Sequence, residues 1–197
     1  MQLYILVDTS GSMEGAKIGA INDCMSNLII SLQEVAFNGC DLSVSVLSFA
    51  RQCRWMHEKP LAILDFDWGE LRANGMTSLG AACIELNSWL SKYGSVEEPA
   101  NIILLSDGCP TDDFDEGISV LNNNTVFTNA HKFSIAIGDD ASYPALLQFT
   151  ADADCIYKVD TVSSLIDRLT SIITAITNKQ SPVRPQNATD GDDDEWS

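Results

Sequence analysis

Gln2 to Ser12 reads QLYILVDTSGS, and the fold class follows from how this stretch is understood. Gln2 to Val7 is a short apolar run of the kind expected for a strand buried on both faces. At Asp8 the character changes. Asp8-Thr9-Ser10-Gly11-Ser12 sets a carboxylate and two hydroxyls at alternate positions in a glycine-containing turn. In open α/β sheets, ligands bind beyond the carboxyl ends of the strands, so the residues directly after each apolar run carry the most information.

Outward from this stretch, strand and helix patterns alternate. Ala16 to Ala36 has Ile18, Ile21, Met25, Leu28, Leu32 and Val35 at the 3/4 spacing of a core-facing helix. Leu42 to Phe49 (LSVSVLSF) alternates with period two and reads as a strand. Gln52 to Leu64 has room for one more short edge strand, interrupted by Pro60. Ser78 to Leu90 places Leu79, Ala82, Leu86, Trp89 and Leu90 on one helical face, and Asn101 to Leu105 (NIILL) is a second buried strand. Asp113 to Leu121 reads as a helix, Lys132 to Ile137 (KFSIAI) as a third buried strand, and Tyr143 to Thr150 as a short helix. Cys155 to Val159 is the final strand, and Val162 to Ile176 the last helix, with Asp160 or Thr161 as its N-cap. This alternation predicts an α/β fold, a doubly wound, mostly parallel central sheet of about six strands flanked by helices, with one edge strand free to run antiparallel.

At 197 residues the chain suits one substantial domain. The pattern ends near Lys179, so the domain is expected over residues 1–178, with 179–197 as a disordered acidic tail containing SPVRPQNA and DGDDDE. Overall, 11 Lys+Arg stand against 28 Asp+Glu, a net charge of −17. That balance argues against nucleic acid or an anionic membrane as a partner, because phosphate binding needs clustered Lys and Arg. No apolar run reaches transmembrane length, and Met1-Gln2-Leu3-Tyr4 lacks the basic start of a signal peptide, so a cytoplasmic location is expected. Cys24, Cys40, Cys53, Cys83, Cys109 and Cys155 contain no CxxC pair and read as reduced structural thiols.

Two further strand ends carry chemistry. Leu105 is followed by Ser106-Asp107-Gly108, and the helix beginning near Ser78 is preceded by Gly75-Met76-Thr77. Asp8, Ser10, Ser12, Thr77 and Asp107 together offer five hard oxygens, leaving a sixth octahedral position for water or an incoming ligand. A donor set with two carboxylates and neither His nor thiolate suits Mg²⁺ or Mn²⁺ better than zinc, with Ca²⁺ as an alternative. Two carboxylates only neutralise a dication, so a third carboxylate would complete the shell.

Asp8-x-Ser10-x-Ser12, Thr77 and Asp107 resemble the metal-ion-dependent adhesion site (MIDAS) of von Willebrand factor A (VWA) domains, in the family's order and after the expected elements. The resemblance covers residues 1 to about 178. It implies Ser10, Ser12 and Thr77 as direct ligands, with Asp8 and Asp107 acting largely through water. It implies too a metal-dependent protein-protein interaction in which a partner's Asp or Glu completes the coordination. SDGCPTDD (Ser106 to Asp113) and GMTSLGAA (Gly75 to Ala82) are similar to the bacterial tellurite-resistance-associated, TerY-like branch, which typically has TDGxPTDD and GGTSLG. Ser106 and Met76 depart from that pattern, neither at a ligand position. The resemblance to that branch implies a stress-response or phospho-signalling setting, with a Ser/Thr protein kinase and a PP2C-type phosphatase as candidate partners.

Other readings remain in view. Taken alone, DTSGS is equally a solvated turn with a helix N-cap. Asp112, Asp113, Asp115 and Glu116 offer either a second cation site or acids complementing the helix that follows them. A strand ending in aspartate is shared with haloacid dehalogenase-type phosphatases, but Ser10 stands where their acid/base carboxylate belongs. GxSxG and GxxxxGK[ST] are absent, so a non-enzymatic role is expected and a metal-dependent phosphohydrolase is the lesser alternative. Phosphorylation at Ser78 or Thr111 by a partner kinase is a separate possibility, as is self-association through an acid of residues 190–195. His57 and His131 read as incidental, Trp55, Trp68 and Trp89 as packing residues, and Trp196, beyond the acid run, as a candidate docking anchor. Asp8, Asp65, Asp67, Glu70, Asp107, Asp112, Asp113, Asp115, Glu116, Asp139 and Asp140 follow predicted strand ends, on the edge that carries the metal. The expected partner therefore presents its Asp or Glu ligand from a basic surface.

Overall fold

The computed structural model describes residues 1–138 and 141–177. The expected acidic tail, Trp196, Asp139 and Asp140 lie outside the described residues.

Strand β1 (Gln2–Asp8) sits at the centre, paired in parallel with β2 (Ser43–Phe49) on one side and β5 (Asn101–Ser106) on the other. Beyond β5 follow β6 (His131–Ile137) and β7 (Ile156–Val159), both parallel. The segment read as one edge strand makes two. β3 (Cys53–Trp55) pairs antiparallel with the end of β2, and β4 (Leu61–Ala62) antiparallel with its start. Pro60 directly precedes β4 rather than interrupting a strand, so its missing N–H costs no ladder bond. The sheet thus has seven strands in the order β3-β2-β1-β5-β6-β7, with β4 on β2.

Alternate residues of each central strand enter one of two cores. Leu3, Ile5, Val7, Val44, Val46, Ile103 and Leu105 pack with α1 (Ala16–Phe37) and α6 (Val162–Thr177). Tyr4, Leu6, Leu47, Phe49, Ile102 and Leu104 pack with α2 (Leu79–Tyr93), α3 (Phe114–Leu121), α4 (Thr125–Thr128) and α5 (Tyr143–Thr150). The serines of the period-two pattern in β2 are therefore not a solvent face. Ser45 is buried, and its Oγ accepts a hydrogen bond from Trp89 Nε1 at 3.1 Å. Trp89 in turn stacks on Trp55 at 3.9 Å, while Trp68 Nε1 donates to Asn22 Oδ1, so all three tryptophans pack as expected.

The capping acids divide between two helices. Asp113 caps α3, accepting from Glu116 N. Asp112 instead reaches back to α2, where its two carboxylate oxygens accept from Gly80 N and Ala81 N. Thr161 opens α6, its Oγ1 accepting from Ser164 N. Helices α2 and α3 meet at glycines on both sides: a Cβ on Gly117 would lie 2.3 Å from Gly80 O. That contact holds the loop before α3 against the start of α2.

Not every acid follows the edge expected of it. Because β4 runs antiparallel and pairs with Ser43 and Val44 at the start of β2, Asp65 emerges at the amino end of the parallel strands. Gln33, near the end of α1, confirms the placement by donating to Ile63 O and Phe66 O. Residues 66–74 then climb along α1, past Asn22, to reach the opposite edge where Asn74 N donates to Thr9 O.

The winding reverses between β1 and β5. From β1 the chain steps outward to β2, then crosses back to β5 on the other flank and steps outward to β7. The loops that leave the carboxyl ends of β1 and β5 consequently part to opposite sides, and the crevice between such loops is where open α/β sheets bind ligands.

Candidate metal centre

Asp8 is the last residue of β1, and the loop after it turns tightly enough that its own carboxylate receives Ser10 N at 2.9 Å through Oδ1. The other oxygen, Oδ2, accepts from Ser106 Oγ across the strand pair at 2.6 Å. Ser106 Oγ also accepts from Gly108 N at 2.9 Å, and Gly108 has φ +71 with no room for a Cβ against Ser142 O. This hydroxyl therefore ties together the two strand ends and the turn after β5. Neither its place at the end of β5 nor its departure from the family pattern signals this role.

Ser10 and Ser12 lie side by side, their Oγ atoms 3.0 Å apart, with Ser10 buried and Ser12 at the surface. The loop carrying Thr77 is held to them by backbone. Gly11 N donates to Gly75 O at 2.8 Å, Gly75 takes φ +91, and Ser78 N donates to Ala50 O. Thr77 itself is buried, and its carbonyl accepts from both Thr111 N (2.8 Å) and Thr111 Oγ1 (3.1 Å). Asp107 follows β5 directly, its carbonyl receiving Ser142 N at 2.6 Å. The fold thus gathers the loops of all five expected residues at one crevice.

Two buried carboxylates set the electrostatics of the site. Asp8 is fully buried, and burial pushes its carboxyl above the ordinary value of 3.8. Its hydrogen bonds to Ser106 and Ser10 pull the other way, and the charge of Asp107 adds to the rise. Asp107 is 2% exposed, and its Oδ1 has no hydrogen-bond partner among the described residues. Buried carboxylate oxygens are normally satisfied, since leaving one unpaired is costly. Among the described residues a compensating charge comes from Lys17 Nζ, 3.9 Å from Asp107 Oδ2, a residue that sequence reasoning did not single out. Among the described residues no group of three His, Cys, Asp or Glu converges, so a cation here would need the serine and threonine hydroxyls. An orphaned buried carboxylate oxygen, a second buried carboxylate and a hydroxyl pair fit a hard divalent cation.

The remaining candidates are placed plainly. All six cysteines are free, with Cys24 and Cys83 buried and Cys109 exposed. His57 packs edge-on against Phe66, and His131 is exposed at the start of β6. No helix among the described residues is long and apolar enough to cross a membrane.

No family model and no curated protein matches this sequence. Solved structures do match. The VWA domain from Catenulispora acidiphila superposes with a TM-score of 0.65 at 17% identity, over 89% of this chain and 42% of that one. The pilus adhesin SpaC from Lactobacillus rhamnosus GG, in its open conformation, gives 0.70 at 14% identity over 91% of this chain and 30% of that one. Proximal thread matrix protein 1 from the mussel byssus, solved with a zinc-occupied MIDAS motif, gives 0.63 at 13% identity, covering 89% of this chain and 45% of that one. The fold is that of a von Willebrand factor A domain. The chain spans less than half the length of each of these three solved chains.

Proposed function

We propose that the chain is a divalent-metal-dependent protein-protein interaction module, a recognition device rather than an enzyme. The observation that carries this reading is the buried Asp107 Oδ1, without a hydrogen-bond partner among the described residues, beside Asp8 and the Ser10–Ser12 hydroxyl pair. Ser10, Ser12 and Thr77 would hold the ion directly, and Asp8 and Asp107 largely through water. A bound dication supplies a Lewis-acidic position at which a partner's Asp or Glu can bind. The residues around it orient that position: Ser106 fixes Asp8, the Gly11–Gly75 bond fixes the Thr77 loop, and the Ser142 bond fixes Asp107. Mg²⁺ or Mn²⁺ suits the oxygen donors best. The zinc seen in the mussel protein makes Zn²⁺ a necessary comparison.

The acids left on this edge, Asp107, Asp112, Asp113, Asp115 and Glu116 among them, favour a partner whose ligand carboxylate lies in a basic surface. A cytoplasmic stress-response or phospho-signalling role of the TerY-like kind, with a Ser/Thr kinase and a PP2C-type phosphatase nearby, extends the same reading. The test is a thermal melt with Mg²⁺ or Mn²⁺ against EDTA. A metal-dependent rise in Tm that is absent in Ser10→Ala/Ser12→Ala supports the site; a rise that survives unchanged in the double variant removes it. Pull-downs with wild type and Thr77→Ala, in magnesium and in EDTA and across a salt series, then test the partner.

One observation favours regulation by phosphorylation as a second reading, and it selects Thr111 over Ser78. Thr111 is exposed, yet its hydroxyl donates to the carbonyl of Thr77. A phosphate there would remove that bond and add charge beside the metal loop. Mass spectrometry after co-expression with the kinase, followed by a Thr111→Val comparison, tests it.

A further inference from the structure

In an Asn-Gly pair the side-chain amide is open to attack by the following backbone nitrogen, because glycine sets no Cβ in the way. The sequence holds two such pairs, Asn38-Gly39 and Asn74-Gly75, and all four residues are exposed. Hydrogen bonding separates them. At the end of α1, Gly39 N donates to Ala36 O at 2.9 Å and Asn38 Nδ2 donates to Glu34 O at 2.9 Å, so nucleophile and leaving group are both held. At the second pair, neither Gly75 N nor the Asn74 carboxamide has a hydrogen-bond partner among the described residues. What is anchored there is the main chain on either side. Asn74 N donates to Thr9 O at 2.7 Å, and Gly75 O accepts from Gly11 N at 2.8 Å. These two bonds tie the Thr77 loop to the loop after β1.

We propose that Asn74 is a site of spontaneous deamidation, and that its product detaches the Thr77 loop from the loop after β1. Gly75 N bonds to Asn74 Cγ and the Cγ–Nδ2 bond breaks; the leaving nitrogen takes the Gly75 amide proton and departs as ammonia. Water then opens the cyclic imide at either carbonyl. Opening at Cγ leaves aspartate. Opening at the α-carbonyl leaves isoaspartate, with the main chain rerouted through Cβ and Cγ. The net exchange is one ammonia for one water, with no change of oxidation state. Isoaspartate inserts an extra methylene between Asn74 N and Gly75 O, the two atoms that hold the loop, so both bonds cannot keep their geometry. Either product also adds a negative charge beside the metal loops. The loss of metal affinity that follows rests on the metal-site reading above; the modification itself does not.

The experiment ages the full chain in mildly alkaline buffer, with peptide mass mapping and enzymatic methylation of isoaspartate as readouts, beside melts in EDTA and Mn²⁺ titration. In the folded protein Asn74 is expected to convert about tenfold faster than Asn38, whose hydrogen bonds must first break. In urea the two should convert at similar rates, which assigns the difference to the fold. Aged protein should melt lower in EDTA and bind Mn²⁺ more weakly than fresh protein. Asn74→Gln, whose longer side chain closes the ring poorly, should age without either loss. Freshly prepared Asn74→Asp, which carries the charge on an unaltered main chain, should keep the wild-type Tm in EDTA. An Asn74 that stays intact, or an Asn38 that converts as fast in the folded protein, would overturn the proposal. Isoaspartate at that position with an unchanged melt in EDTA would overturn the detachment. Fresh wild type that takes up no Mn²⁺ would overturn the metal reading and leave the modification standing.

Discussion

Ser106 Oγ donates to Asp8 Oδ2 at 2.6 Å, joining the carboxyl ends of two adjacent strands across 98 positions of sequence. Because the same oxygen accepts from Gly108 N, one hydroxyl satisfies a buried carboxylate and a buried amide. Ser106→Ala should cost about 2–3 kcal/mol, since both groups lose a partner and one is charged. Ser106→Thr keeps the hydroxyl and should retain most of that stability. Urea midpoints of the three proteins in EDTA would show the difference, and Mn²⁺ titration should show weaker binding in the alanine variant alone.

The Asp112 carboxylate belongs energetically to α2, whose second and third residues, Gly80 and Ala81, donate their amides to it. Asp112→Ala should therefore lower stability by about 1–2 kcal/mol, and Asp112→Asn, still able to accept a bond, by less. Chemical denaturation resolves the two. Equal losses would mean that the negative charge of Asp112, rather than its cap, sustains the helix.

Gly117 lies where α3 presses on the backbone of α2 at Gly80. A methyl group cannot enter that contact without moving one helix. Gly117→Ala is expected to cost about 3 kcal/mol by overpacking. It should also perturb the metal site, because the loop from Asp107 to Asp113 is anchored between the same helices. Circular dichroism melts and Mn²⁺ titration on the folded fraction would test both effects.

Tyr4 supplies the pH dependence. Its hydroxyl is buried with no hydrogen-bond partner among the described residues, and burial raises its pKa from 10.0 to about 12. A raised pKa means that the folded state holds the proton more firmly than the unfolded state. The stability linked to Tyr4 is thus fully present below pH 10 and is lost as pH rises towards 12. Tyr4→Phe should be neutral to stabilising near pH 7, as it deletes an unpaired buried hydroxyl. Its denaturation midpoint should also fall less than that of wild type between pH 9 and pH 11.

Much of this architecture was legible because apolar runs and helical stripes survive burial. Leu79, Ala82, Leu86, Trp89 and Leu90 are all buried on α2, and NIILL forms β5 with Ser106 added. What local pattern could not carry was direction. The antiparallel turn of β4 sends Asp65 to the edge opposite the metal loops, although its place after an apolar segment suggested otherwise. The crevice residues Asp8, Ser10, Ser12, Thr77 and Asp107 could be named because a strand end announces each loop or a glycine precedes it. Lys17 and the second role of Ser106 could not. Both depend on which side chain faces a carboxylate across the fold, and neither spacing nor composition records that. Asp112 was similarly hidden, since its cap belongs to a helix more than 30 residues earlier.

The central position of β1 also constrains how the molecule is made. Its five apolar residues, Leu3 to Val7, are made well before their second partner: β2 can cover one flank soon afterwards, but the other flank waits for residues 101–106. At ribosomal speeds of about 5–20 residues per second, that interval lasts roughly 5–20 s. Throughout it the growing chain displays an unpaired hydrophobic strand edge, a ready template for pairing with another chain. Synthesis rate and chaperone supply between the making of β1 and that of β5 should therefore govern the yield of native protein.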